Sequence, residues 1–407
     1  MVGNREMNLV FISGGQYPDG GASSNRHMAY ARGLVELNNN VTFILLAKQQ
    51  SADAEFINDG INFICVSPGN KKGKKNIISK LYSNLGSVSK ARKKIELLNS
   101  EDAIDAIVLL DTHIWILYPF LKFCRKKNIK VFHERTEYPL VVERKGFLGI
   151  IHNRMYSKFI LPRFDGIYVI SLALKNYFNR ITENKIPVSI INMVVDPLRF
   201  TSGETPNSEN QKYLVYCGSM DLDKDGVDIL IRSFGKAINE SELDKDINLM
   251  LIGDNSNVVL YEKLKRIIEE SKCTGKVIFT GLMPRQKVPE LLINAHALAL
   301  SRPDNKQAEF GFPTKLGEYL TTGKPVIITR VGEIGLFLKD GENAFLASAG
   351  SVDSFSEKIS EVFQNYPEAL KIGSKGRELV FNEFNYLNQA KKLSGFIEEI
   401  VQNHKVK

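Results

Sequence analysis

A chain of 407 residues is too long for one ordinary hydrophobic core and suits two domains. Its 43% hydrophobic and 25% charged residues are those of a globular protein, and no run of 18 or more apolar residues suggests a membrane-spanning helix. The formal charge of +8 is concentrated, since Lys71–Ile95 carries nine basic residues and no acidic one.

The N-terminus, MVGNREMNLVFIS, has a short apolar run but neither the length nor the cleavage site of a signal peptide. NLVFIS (8–13), VTFILLA (41–47), NFICV (62–66), DAIVLLD (105–111), KVFHE (130–134) and GIYVIS (166–171) are predicted as buried parallel strands. Asn25–Leu37 and Ile114–Lys127 supply crossover helices, giving a doubly wound α/β domain. After the first strand comes SGGQYPDGGASSNR, in which Gly20 and Gly21 allow close approach to a ligand and Ser23 or Ser24 caps the next helix. A plain turn and a phosphate or sugar contact are both open there. In the basic stretch Lys71–Lys94, Ile77, Ile78, Leu81 and Leu85 recur at helical spacing, as on an interfacial helix. An anionic membrane surface is the partner this suggests, with a merely solvated face as the alternative. Nucleic acid is disfavoured, because the stretch has one tyrosine and no recognisable binding module. RKGFLGIIHNRMYSKFILPRF (144–164) is a second basic, apolar stretch.

TSGETPNSENQ (201–211) is predicted as a linker between domains over 1–200 and 212–385. The amphipathic segment Leu387–Val401, within a last helix over 386–407, is expected to pack back on the first domain. Strands resume at YLVYC, NLMLIG, KVIFTG, ALALS and KPVIIT, so a second α/β half faces the first across a cleft. In YCGSMDLDKDG, Gly218 and Ser219 with Lys224 make a candidate anion cradle. Asp221 and Asp223 resemble a metal-binding pair but sit beside Lys224 without further ligands, so no metal is expected. In AEFGFPTKLGEYLTTGKPVIIT (308–329), Pro313 and Thr314 start a helix from Lys315 to Thr322 that Gly323 stops. Its N-terminus and Lys315 suit a phosphate, and Glu318 one turn on suits a ribose diol. Cys65, Cys124, Cys217 and Cys273 are far apart, which fits reduced thiols in a cytoplasmic protein.

These motifs together resemble the retaining glycosyltransferases of family 4, with the GT-B fold of two Rossmann-like domains, in their polysaccharide-making branch. GEYLTTGKPVI matches the second half of the family's Glu-x7-Glu element, which makes Glu318 the ribose ligand. The first glutamate's place is Phe310, with Glu309 beside it as the candidate carboxylate. YCGSMDLDKDGVDILI resembles the diphosphate grip, with Lys224 at the lysine, Ser219 in place of arginine, and Arg302 of ALALSRPDNKQ supplying the guanidinium. INMVVDPLRF (191–200) resembles the family's junction segment, and GGASSNR its N-terminal glycine loop. VFHERTEYP stands at the family's active-site histidine, so His133 is the residue expected to meet the donor sugar, with Glu134, Arg135 and Glu137 on the acceptor side. Gly311, Phe312 and Thr314 complete the expected donor site.

The resemblance implies metal-independent, retaining transfer from a nucleotide-diphosphate sugar, UDP-sugar favoured, to a glycan or lipid-linked acceptor. It needs no cofactor and works at the inner face of the plasma membrane. Lys224, Arg302, Lys315 and the helix start at Thr314 would stabilise the leaving diphosphate. A nucleotide-sugar 2-epimerase of the same architecture and a non-catalytic sugar-nucleotide-binding protein are the rival readings.

Overall fold

The structure, a computed structural model, describes residues 5–405 except 48, 50–54, 68–76, 139–145, 201–211, 242 and 244–245, without side chains for 77–85 and 403–405. The predicted linker 201–211, together with Lys71, Lys72, Lys74 and Lys75, lies outside the described residues. Contacts divide the chain into two units, Met1–Val194 with Tyr386–Lys407, and Val195–Asn385. The division falls before the predicted residue 200. Val195 bridges to Asn385, and the turn Pro197–Phe200 packs on helices of the second unit.

In the first unit the strands are β1 Asn8–Ser13, β2 Asn40–Leu45, β3 Glu55–Asn58, β4 Ile61–Cys65, β5 Ala106–Leu109, β6 Lys130–Arg135, β7 Gly166–Val169 and β8 Val188–Ile190. They form one sheet in the order β3-β4-β2-β1-β5-β6-β7-β8, parallel except for β3 against β4. Alternate residues of β1 enter different cores, because side chains in a strand point to opposite faces. Leu9 and Phe11 join Phe43, Tyr30 and Leu34, with Ala390, Leu393 and Ile397 of the last helix on the same side. Val10 and Ile12 join Ile107, Leu117, Phe120 and Phe164. The helix Ile77–Glu101 turns Val88, Ala91 and Ile95 into this second core. Among its described side chains, Lys90, Arg92 and Lys93 are exposed on the outer face, with Arg92 over the Phe123 ring and half-buried Lys94 paired to Glu55 at 2.7 Å.

In the second unit β9 Lys212–Cys217, β10 Ile247–Ile252, β11 Val277–Gly281, β12 Ala297–Leu300, β13 Val326–Arg330 and β14 Phe345–Ser348 form a parallel sheet in the order β11-β10-β9-β12-β13-β14. In both sheets the strand order reverses beside the first strand, at β1/β5 and at β9/β12. Ligands of open α/β sheets lie at such switch points, beyond the carboxyl ends of the strands.

Candidate functional site

At the second unit's switch point the chain leaves β9 through Gly218 and Ser219, and Lys315 reaches it from the helix Lys315–Thr321. The Lys315 ammonium donates to Asp225 Oδ2 at 2.8 Å and to the Tyr216 hydroxyl at 3.2 Å, and lies 4.7 Å from the Tyr216 ring centre. A Cβ on Gly218 would stand 2.1 Å from Lys315 Nζ, so only glycine leaves room for this placement. Asp225 also accepts from Tyr216 Oη at 2.9 Å and Ser219 Oγ at 3.1 Å. Burial pushes its carboxyl up, but Lys315, Tyr216 and Ser219 outweigh it and hold the pKa below the usual carboxylate range. Desolvation lowers the Lys315 pKa against the opposing pull of Asp225. The side chain of Lys315 keeps 18% exposure, against 3% for Asp225, so the ammonium is the accessible end of the pair.

Glu318 lies one turn further on and is held by Arg199, whose Nη1 donates to Oε1 at 2.6 Å. Both side chains are 19% exposed. Cys217 is tied through its backbone N–H to the Tyr319 hydroxyl, which fixes the helix against the end of β9. The helix ends at Thr321, with Thr322 as its C-cap and Gly323 at φ +70°. Thr314 is the N-cap without a side-chain cap bond. At seven residues this helix has a short dipole, and the positive charge of the site comes from Lys315.

Other expected donor-site residues have different places. Arg302 is buried, and its guanidinium donates to the carbonyls of Gln307 and Gly311, each at 3.4 Å. Its expected direct grip on the diphosphate is corrected to positioning of the loop that carries Gly311. Phe312 is also buried, packed edge-on to Phe337 and tilted against Phe384. The expected donor contact gives way to an aromatic cluster. Glu309 is exposed on the short helix Lys306–Phe310. Lys224 is half-buried on the helix Leu222–Asp225, and Asp221 caps that helix by accepting from the Lys224 N–H at 2.8 Å. Among the described residues no group of three or more His, Cys, Asp and Glu side chains is placed to hold a metal ion.

In the first unit Gly21, not a serine, is the N-cap of the helix Ala22–Glu36, and no side chain caps it. Ser24 instead donates to the Gln16 carbonyl at 2.7 Å, over Gly20, where a Cβ would meet Ser24 Oγ at 2.1 Å. His133 is fully buried and stacked on Phe164 at 4.5 Å. Its Nδ1 bonds the Leu109 carbonyl at 2.7 Å and its Nε2 the Tyr156 hydroxyl at 2.9 Å. Burial, then the charge of Arg135, lowers its pKa to about 3, so the ring stays neutral. With both nitrogens taken by protein, the expected contact with a donor sugar is corrected to a structural role.

Glu134 is likewise buried. Arg26 donates to both its oxygens, at 3.1 and 3.0 Å, and His27 Nε2 bonds Oε2. Burial pushes its carboxyl up, but Arg26 and His27 hold it well below the usual range. Arg135 is buried between the rings of Tyr156 and Phe178. Neither side chain is open to an acceptor, which corrects both expectations; Glu137 is half-buried with partners of its own. The switch point of this unit shows what the sequence reading missed. Asp111 follows β5, and its Oδ2 lies 3.3 Å from where a Cβ on Gly14 would be. Its Oδ1 bonds His113 Nδ1 at 2.7 Å, and the His113 side chain is 42% exposed.

Residues 211–365 match the family Glycosyl transferases group 1. An uncharacterized glycosyltransferase of Methanocaldococcus jannaschii, MJ1178, is 26% identical over 56% of this chain and 58% of its own length. Sucrose-phosphate synthase from Thermosynechococcus elongatus has the same fold with a TM-score of 0.74, at 14% identity over 98% of this chain and 100% of that one. Anabaena HepE, solved in complex with UDP and glucose, superposes with a TM-score of 0.69 at 14% identity over 97% of this chain and 100% of that one. Residues 211–365 are therefore similar to the Glycosyl transferases group 1 family, in a chain whose two α/β units have the GT-B fold.

Proposed function

We propose that the chain transfers a sugar from a nucleoside diphosphate sugar, UDP-sugar favoured, to a glycan or lipid-linked acceptor with retention, in cell-surface polysaccharide synthesis. The observation that carries this reading is the Lys315 ammonium over Gly218 at the β9/β12 switch point, paired with a carboxylate that has other donors. The Tyr216 and Ser219 hydroxyls stay within hydrogen-bond reach of Asp225 when Lys315 turns toward a diphosphate. The same domain family and the UDP held by HepE support a nucleotide-sugar donor.

As the glycosidic C–O bond breaks, its electron pair goes to the diphosphate, and Lys315 with Lys224 meets the growing charge. Preorganised charge of this kind is commonly worth about 3–4 kcal/mol for each group. Glu318, held by Arg199, accepts the ribose hydroxyls. The acceptor hydroxyl attacks on the face the diphosphate leaves and gives its proton to a phosphate oxygen, which requires neither covalent nucleophile nor metal. In the first unit His113, with its Asp111 partner, takes the place earlier given to His133 as the imidazole to test. The experiment is turnover of a panel of nucleotide sugars with a lipid-linked glycan acceptor in EDTA, with the product anomer read by NMR. Transfer with retention in chelator is expected. Activity that returns only with magnesium or manganese, or an inverted product, contradicts the mechanism.

A further inference from the structure

We propose that the helical run 146–163 is a docking face for an anionic lipid bilayer. The helix Gly146–Met155 continues through a π-turn, Tyr156–Ile160, into a 3-10 turn, Leu161–Arg163. Its inner side is fixed. Gly149, Ile160 and Leu161 are buried, and the Tyr156 hydroxyl bonds His133 at 2.9 Å. The outer side is apolar: Phe147, Leu148 and Ile150 are 77%, 79% and 64% exposed, and Ile151, Met155 and Phe159 are exposed with them. Single exposed apolar side chains are ordinary, but six within one short helical run mark an interaction surface.

The charge on this run selects the partner. Arg154, Lys158 and Arg163 are exposed between the apolar residues, and 146–163 contains no aspartate or glutamate. A second copy docked by two-fold symmetry would set this basic surface against itself, with no acid in the run to offset it. An anionic bilayer answers both features: apolar side chains enter the acyl boundary while the cations stay at the headgroups. The locked inner side keeps the outer side chains presented without any refolding. The proposal needs neither donor nor turnover, so it stands or falls apart from the transferase reading.

The test is co-sedimentation with phosphatidylcholine vesicles, with and without about 30% phosphatidylglycerol, at low salt. Three variants accompany wild type: Phe147→Ser/Leu148→Ser/Ile151→Ser, Arg154→Gln/Lys158→Gln/Arg163→Gln, and Lys71→Gln/Lys72→Gln/Lys74→Gln/Lys75→Gln. The first two sets change exposed side chains, so their melting temperatures should match wild type. Wild type is expected to bind the anionic vesicles, and each of the first two variants to bind them about tenfold more weakly or worse. The proposal is overturned by absent wild-type binding or equal affinity for neutral vesicles. Binding lost only in the four-lysine variant also overturns it, as does a solution dimer abolished by the serine substitutions.

Discussion

Both units place ionisable side chains at the carboxyl ends of parallel strands, and the two sets end in opposite states. At β6 the three side chains are sealed: His133 bonds the Leu109 carbonyl and the Tyr156 hydroxyl, Glu134 takes Arg26 and His27, and the Arg135 guanidinium lies over the rings of Tyr156 and Phe178. Beyond β9, Lys315, Arg199 and Glu318 are paired yet keep 18–19% of their side-chain surface open. What covers the strand end decides the outcome. A π-turn lays Tyr156 over His133, whereas Gly218 has no side chain to fill the space that Lys315 enters. Position at a strand end is therefore insufficient evidence for a ligand site.

The sharpest way to break this contrast is Glu134→Ala. It leaves Arg26 buried without its carboxylate and is expected to cost about 3–5 kcal/mol in urea unfolding, with donor affinity in the folded protein unchanged. Wild-type stability with lost transfer would make Glu134 an open functional group after all. On the other side, Lys315→Ala should lower kcat about 10²–10³-fold. A kcat within threefold of wild type would remove Lys315 from the chemistry.

Glu318→Ala is expected to raise donor KM roughly tenfold through loss of a charge-assisted hydrogen bond, and unchanged steady-state constants would exclude it. The smallest effect is a pH slope. The folded pKa of His133 is lowered to about 3, so its contribution to stability is full above the ordinary histidine value. That contribution is lost as pH falls from about 6.5 toward 3, by about 1.4 kcal/mol for each pH unit. Unfolding curves from pH 6.5 to 5 should show a His133→Asn variant shallower than wild type by about one proton. Equal slopes would mean an accessible ring.

Most of the sheet was legible, because buried parallel strands are near-continuous apolar runs such as NLVFIS and ALALS. The strands missed are short and lie at edges: EFIN of β3 alternates exposed and half-buried residues, β8 spans only VSI, and β14 only FLAS. At the candidate site, local pattern singled out Gly218, Lys315 and Glu318 as residues but could not name their partners. Asp225 is 90 residues from Lys315, and Arg199 is 119 from Glu318, so only tertiary packing joins them. Asp225 stood in plain view in DLDKD, yet nothing in the spacing distinguishes the buried third carboxylate from the capping first. His133 failed for the converse reason, since no sequence period reports which strand end another turn will cover.

The most direct test of the central claim, that the open end of β9 holds a nucleoside diphosphate through Lys315, is calorimetric titration of UDP into wild type and Gly218→Ala in EDTA. The added Cβ, 2.1 Å from Lys315 Nζ and 2.7 Å from the Tyr216 hydroxyl, should push the ammonium aside and weaken UDP by about tenfold or more. Equal UDP affinity in the two proteins, or no binding by wild type, would contradict the account.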